Sequence, residues 1–250
     1  MTRCASLFRA VSIRAPLTRT SLIRLGRFRA ALAALAWVAL IPPMVAQDAA
    51  HARAALTPTV TFTFDFPQSN PEHYSITVDA GGHTRYECTG KIAQDAEEET
   101  YHAEFEVSPR NRERIFDWAK QARYFAGKID AGNDKLAFTG AKVLSYQDGE
   151  RSNTARYNYS SLEAVRQLTS LFQGTAETLE YGRRLAYYHR YQKLALDEEL
   201  KRMEAQAKNN GLNEIQGVAP ILREIVGDSS VINVVRARAQ ELIQMSESRH

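Results

Sequence analysis

The period of the hydrophobic pattern changes once along this chain, near residue 160, and nothing else in the sequence constrains the fold as strongly. Before that point apolar side chains recur at every second position, and after it they recur at intervals of three and four. Val60, Phe62, Phe64 and Phe66 alternate with Thr59, Thr61, Thr63 and Asp65, which describes a strand with one buried face. Tyr74, Ile76 and Val78 alternate with Ser75 and Thr77, Gly81-Gly82 supplies a turn, and Tyr86 and Cys88 resume the pattern as a hairpin requires. Tyr101, Ala103, Phe105 and Val107 make a further run with His102, Glu104 and Glu106 outward. Ser108-Pro109 then reads as an N-cap with proline in the first turn of a helix that puts Ile115, Trp118, Ala119, Ala122 and Phe125 on one side. A strand from Leu136 to Tyr146, a turn at Asp148-Gly149 and a return strand through Tyr157 and Tyr159 complete the first half. The expectation is an α+β protein: an antiparallel sheet with one packed helix over residues 57–159, followed by an all-helical region over 160–250.

In the helical half, Ser160 and Glu163 are spaced as a capping box, and Leu162, Val165, Leu168 and Phe172 repeat at helical intervals up to an interruption expected near Gly174. Residues 175–208 lack proline and read as one unusually long helix or two separated near Gly182, with Asn209-Asn210-Gly211 as the stop. Leu212, Ile215 and Val218 precede Pro220. Ile221, Leu222, Ile225 and Val226 lead to Gly227-Asp228-Ser229-Ser230 and a last helix through Val234-Val235-Arg236-Ala237-Arg238-Ala239-Gln240-Glu241-Leu242. Residues 212–245 resemble a single HEAT-type repeat: a proline in the first helix, an Asp in the turn, then Val-Arg with an Ala and a Leu at three-residue steps. The resemblance implies a helical scaffold, and since a lone repeat cannot bury its own apolar face, this one must pack on the long helix or on a partner. Tyr74-Ser75-Ile76-Thr77-Val78, the Gly81-Gly82 turn and Tyr86 are similar to small exported bacterial domains of unknown function, a likeness that implies no active site.

The first thirty residues hold seven arginines and no acid, and an apolar run follows from Ala30 to Ile41, closed by Pro42-Pro43. This is the order of an export signal, assigned to residues 1–52, with the mature start between 47 and 55. The run reaches membrane-spanning length only by counting across the prolines, so an uncleaved anchor is the alternative. A mitochondrial transit peptide would be an amphipathic helix instead. No Cys follows the run, so lipid attachment there has no acceptor. Once the leader is set aside, 25 basic and 28 acidic residues remain, a net charge of −3, and the basicity of the whole chain does not argue for a nucleic-acid partner. Cys88 is then the only cysteine, so no internal disulfide is available and the core alone must hold the fold.

No phosphate-binding loop, dinucleotide fingerprint, Gly-x-Ser-x-Gly elbow or His-Glu-x-x-His helix occurs. His73, His83 and His102, with Glu104, lack the close spacing of metal ligands and read as surface residues, so neither a metal nor another cofactor is expected. Cys88 lies on the apolar parity beside Tyr86 and reads as an inert core thiol. Glu97-Glu98-Glu99 reads as a solvated loop, and Asp130, Asn133 and Asp134 as an ordinary turn. The most distinctive polar stretch is Tyr181–Lys193, where aromatic rings interleave with arginines. Arg184, Tyr188 and Tyr191 are its candidate ligand-binding residues, set against the plainer reading of tyrosines packed on the sheet with cations outside.

These features give two functional expectations. The first is an exported envelope protein, periplasmic or extracellular, acting without catalysis as a protein-interaction or scaffold module through its helical half. Its partner is expected to be protein rather than nucleic acid, with the membrane involved only through the export signal. The second is an exported hydrolase or small-ligand-binding protein with a site at the sheet-helix junction, for which Glu104, Glu106, His102 and Tyr157 are the first candidates; it requires two of these to converge within hydrogen-bond reach.

Overall fold

Six antiparallel strands, β1 (Thr59–Asp65), β2 (His73–Asp79), β3 (His83–Lys91), β4 (Glu98–Glu106), β5 (Ala141–Gln147) and β6 (Ser152–Tyr157), form one sheet in the order β4-β3-β2-β1-β5-β6. Among the described residues five α-helices accompany it: α1 (Pro109–Gln121), α2 (Glu163–Tyr191), α3 (Leu196–Lys208), α4 (Ala219–Gly227) and α5 (Asn233–Glu247). The computed structural model describes residues 57–92, 96–132 and 137–248; the leader assigned to 1–52 lies outside the described residues, as do Asn133 and Asp134. The α+β class is therefore as expected, with helices concentrated in the second half. Among the described residues no helix is long and apolar enough to cross a membrane.

Strand alternation sorts the side chains as the sequence requires. Val60, Phe62, Ile76, Val78, Tyr86, Cys88 and Leu144 are buried on the inner face, and Phe64 pairs across β1–β2 with Tyr74. The hairpin turns are fixed by carboxylates: Asp79 Oδ1 accepts from the amides of Gly82 (2.9 Å) and His83 (3.0 Å), and Asp148 Oδ1 from those of Glu150 (2.8 Å) and Arg151 (2.6 Å). Helices α1 and α2 cover the inner face. Phe62 of β1 stacks on Phe172 of α2 with centroids 5.5 Å apart. The same continuous core runs on through Leu200, Met203, Leu222, Ile225, Ala239 and Leu242, so the sheet and the helical half share one interior.

The interruption expected near Gly174 is absent, and residues 175–208 divide into two helices at Gln192 rather than near Gly182. α2 runs for 29 residues through both Gly174 and Gly182 and ends at Gln192, where the backbone turns to φ −145° before a short 3-10 turn, Lys193–Ala195, leads into α3. The glycines serve close approach: a side chain at Gly174 would collide with Asn213 and the carbonyl of Gly211, and one at Gly182 with Val218. The segment 211–218 lies directly on the helix backbone. Nor is there a capping box. Ser160 Oγ donates to the carbonyl of Ile129 (2.6 Å) and accepts from the amide of Leu162 (3.2 Å), while Glu163 already begins the helix and pairs with Arg166.

α1 begins at Pro109 as expected, but Ser108 does not cap it with its own hydroxyl. The buried carboxylate of Glu214, 106 residues away, accepts from the Ser108 amide (2.8 Å), the Ser108 hydroxyl (2.9 Å) and the Asn111 side-chain amide (2.5 Å), and from Gln216. A negative charge at a helix N-terminus is favourable, and here it holds Glu214 in the left-handed region at φ 56°. Glu214→Ala strands a buried amide and hydroxyl, and urea unfolding should show a loss of about 2–4 kcal/mol. The exposed Glu224→Ala should change stability by no more than about 0.5 kcal/mol. Equal effects for the two would show that the carboxylate does not fasten α1.

Candidate functional site

Three places in the fold gather polar chemistry. The first lies between the sheet and α2. Glu180 Oε1 accepts from the Tyr86 hydroxyl (2.8 Å) and the Cys88 thiol (3.2 Å). Arg183, only 3 % exposed, donates to the carbonyl of Gly90 (2.9 Å) and to Glu99 (3.0 Å), lies 3.5 Å from Glu180 and covers the Tyr101 ring at 5.5 Å. Glu180, Tyr86, Cys88 and Arg183 bond to one another or to the sheet, with Arg183 Nε left without a hydrogen-bond partner among the described residues, and the arrangement is a buried tie rather than an open site. Glu99 is thus an ion-pair partner in β4 and not part of a solvated loop. Cys88 is buried as expected, but in a polar setting: burial pushes its thiol up to about 12, reinforced by the Glu180 carboxylate.

The second place is the far end of α2. His189 Nε2 lies 3.0 Å from Asp228 Oδ2, and Lys193 Nζ donates to Asp228 (2.5 Å) and to the Ser230 hydroxyl (2.5 Å). Lys193, then Ser230 and His189, hold the Asp228 carboxyl well below the usual carboxylate range. A depressed carboxyl pKa contributes stability above the unfolded value and loses it as pH falls, so this clasp is intact through the neutral range. Around it stand large apolar side chains facing solvent: Tyr191 is 62 % exposed, Leu194 98 %, Ile232 65 % and Val234 58 %. Tyr187 and Tyr191 pair at 5.2 Å, and the Arg190 guanidinium lies over Tyr191 at 5.2 Å.

The third is a cleft of about 440 Å³ where β5 and β6 meet the first turns of α2. Lys142 stands on the inner parity of β5, two residues before Leu144, and is 6 % exposed. Its ammonium donates to the Thr139 hydroxyl (3.0 Å) and to the carbonyls of Thr139 (3.2 Å), Gly140 (3.3 Å) and Asn158 (3.2 Å). Burial pushes its pKa down. The Tyr157 hydroxyl meets Thr169 at 2.5 Å across the floor, and burial pushes that phenol up, so it stays neutral.

The residues singled out in the sequence are dispersed. Arg184 bonds to the buried Glu199 (2.5 Å) and stacks on Tyr181 (4.6 Å). Tyr188 lines a different cleft with Asn70, Glu72, Lys91 and Glu98, and Tyr191 belongs to the exposed end of α2. The expected division of this stretch, tyrosines inward and cations outward, is partly reversed, because Arg183 is buried by Glu180 and Glu99 while Tyr191 is exposed. His73 pairs with Asp65 (2.5 Å), His83 with Glu106 (3.5 Å) and His102 with Glu87 (3.7 Å), and among the described residues no three His, Cys, Asp or Glu side chains form a group able to hold a metal ion. His102 and Glu104 share a shallow depression with Arg85 on β3 and β4, whereas Tyr157 lies buried in the core, so these candidates do not converge. Lys142 and Glu180 were overlooked; each is a charge standing on an apolar parity, and that mismatch was visible.

The setting of Cys88 makes its reactivity predictable. With a thiol near 12, about one in 10⁴ is ionised at pH 8. Alkylation of Cys88, followed by mass spectrometry of its peptide, should be slower in the native chain than in urea by about a hundredfold or more. Labelling at the unfolded rate would contradict the buried Glu180–Cys88 contact.

No protein-family model matches this chain, and no curated protein matches it.

Proposed function

We propose that this protein is an exported, non-catalytic interaction module that engages a partner protein through the end of its helical half. The reading is carried by one observation: four large apolar side chains, Tyr191, Leu194, Ile232 and Val234, are solvent-facing around the Asp228 clasp. Contiguous exposed apolar surface marks interaction sites more often than scattered single residues do. The clasp bears on this because Lys193 and His189 tie the end of α2 to the α4–α5 turn, holding the four side chains on a fixed support. Arg190, stacked on Tyr191, adds a cation at the edge. The complementary partner surface offers an apolar anchor beside a carboxylate, the usual combination of a buried centre and a polar rim. Export is supported by the basic and apolar leader, and a protein rather than nucleic-acid partner by the net charge of −3 once that leader is set aside.

The test is crosslinked affinity capture of the full chain expressed in its own envelope, in parallel with Leu194→Glu/Ile232→Glu. Both positions are exposed, so circular dichroism and thermal unfolding should be unchanged. A retained protein whose recovery falls about tenfold or more in the double variant supports the reading. Equal recovery from both chains, or no specific protein from either, refutes it.

A further inference from the structure

We infer that the cleft between β5, β6 and α2 is a binding site for a small hydroxylated monocarboxylate, of the sugar-acid kind, whose carboxylate is taken by Lys142. This site is separate from the exposed end of α2 and does not rest on the interaction reading.

The inference begins from a position that an apolar residue would fill more cheaply. Lys142 occupies the inner parity of β5, opposite Phe64 of β1 and Tyr157 of β6, with its ammonium 5.7 Å from the centre of the Phe64 ring. A buried ammonium is costly unless a counter-charge and good hydrogen bonds compensate it. Here the compensation is incomplete. Its three protons are shared among four neutral oxygens at 3.0–3.3 Å, none of them a carboxylate, so a ligand carboxylate would take over the proton that two of these oxygens share. Among the described residues, the nearby carboxylates are spent elsewhere. Asp130 accepts from the amides of Gly132 (2.6 Å) and Asn158 (2.9 Å), and Glu163 takes Arg166 and Gln167. A buried cation with no anion, opening on a cleft of about 440 Å³, is arranged to receive one.

The charge count favours a single negative charge. Arg166, at the rim, is already neutralised by Glu163 and donates to the carbonyl of Ser161 (2.8 Å), so among the described lining residues Lys142 alone has no opposite charge. A monocarboxylate balances it, whereas a phosphate dianion would bring a second charge into the same low-dielectric space. The rest of the lining selects the body of the ligand. Ser170 and Gln173 present a hydroxyl and an amide, Ser160, Thr169 and Asn158 being held by bonds within the chain, and the exposed ring of Tyr159 offers flat apolar surface. That is the combination a ring bearing several hydroxyls would use, each hydroxyl pairing with a neutral polar group and one ring face lying against an aromatic plane.

The experiment is calorimetric titration of the full chain with glucuronate, and with glucose, benzoate and inorganic phosphate in turn, repeated with Lys142→Gln and with Gln173→Ala. Replacing a buried unpaired lysine by a neutral side chain should leave the fold intact or more stable, and the thermal unfolding of each variant reports this. Glucuronate should bind the wild-type chain about tenfold or more tighter than glucose, benzoate or phosphate; Lys142→Gln should abolish that preference over glucose, and Gln173→Ala should weaken glucuronate about threefold or more. Should Lys142→Gln fail to fold, the ranking of the four probes on the wild-type chain and the Gln173→Ala response decide. The inference is overturned if glucuronate does not bind, if phosphate or benzoate binds as tightly, or if a folded Lys142→Gln chain keeps the preference.

Discussion

The placement of α2 on the sheet depends on the buried pair Glu180–Arg183. Apolar packing alone tolerates a helix that rotates or slides, because one leucine replaces another at modest cost. Charges do not tolerate it. Glu180 must reach Tyr86 and Cys88 on β3, and Arg183 must reach the Gly90 carbonyl and Glu99 across β3 and β4. A shift of one helical turn, about 5.4 Å, would break all four contacts and leave a buried cation and a buried carboxylate unpaired. Everything carried by α2, from the Lys142 cleft at its start to the exposed tyrosines at its end, inherits its position from that pair.

A second long-range tie closes the molecule in the other direction. Glu214 draws residues 211–218 onto the N-terminus of α1, and Gly174 and Gly182 let the same segment lie against the backbone of α2. α4 and α5 follow directly, and α5 is joined to α3 through Arg238, which bonds Glu204 and lies 3.7 Å from Asp197. The helical half is therefore not appended to the sheet. It is threaded onto it at α1 and α2 and shares its core, which is how a helix pair too small to bury its own apolar face is accommodated.

Much of this was readable from residues alone, and the failures have a common physical origin. Alternation in 59–107 identified β1 to β4 and their buried faces, because burial of one side of a pleated sheet imposes a strict period of two, and the Asp148-Gly149 turn located β5 and β6, of which β5 begins at Ala141 and β6 stops at Tyr157, short of Tyr159. The proline after Ser108 located α1. Gly174 is a break by local propensity, and Gly182 is one under one of the two readings of 175–208, because glycine weakens a helix; tertiary contact with Asn213 and Val218 overrides it. The capping residue of α1 could not be found by local spacing at all, since it comes from Glu214. The stretch containing Arg184, Tyr188 and Tyr191 drew notice by composition, yet composition cannot say which of its cations turns inward. Glu180, Arg183 and Lys142 could have been found by asking which charged residues share a parity or a helical stripe with the apolar core.

Those three charges also show that burial of a polar group has different consequences in different places. Glu180 and Arg183 compensate each other, and apart from the buried Arg183 Nε their donors and acceptors are met by groups from the chain itself, so their region is closed. Lys142 has no such partner among the described residues. The Thr139–Gly140 loop and Asn158 solvate it as water would, with several weak contacts and no opposite charge. With neutral dipoles as its only described partners, the ammonium keeps its net charge beside the adjoining cleft, and that charge attracts an anion that enters. The first arrangement uses up its chemistry in holding the fold together. The second keeps it available, and that difference directs attention to β5 and not to the more densely bonded cluster under β3.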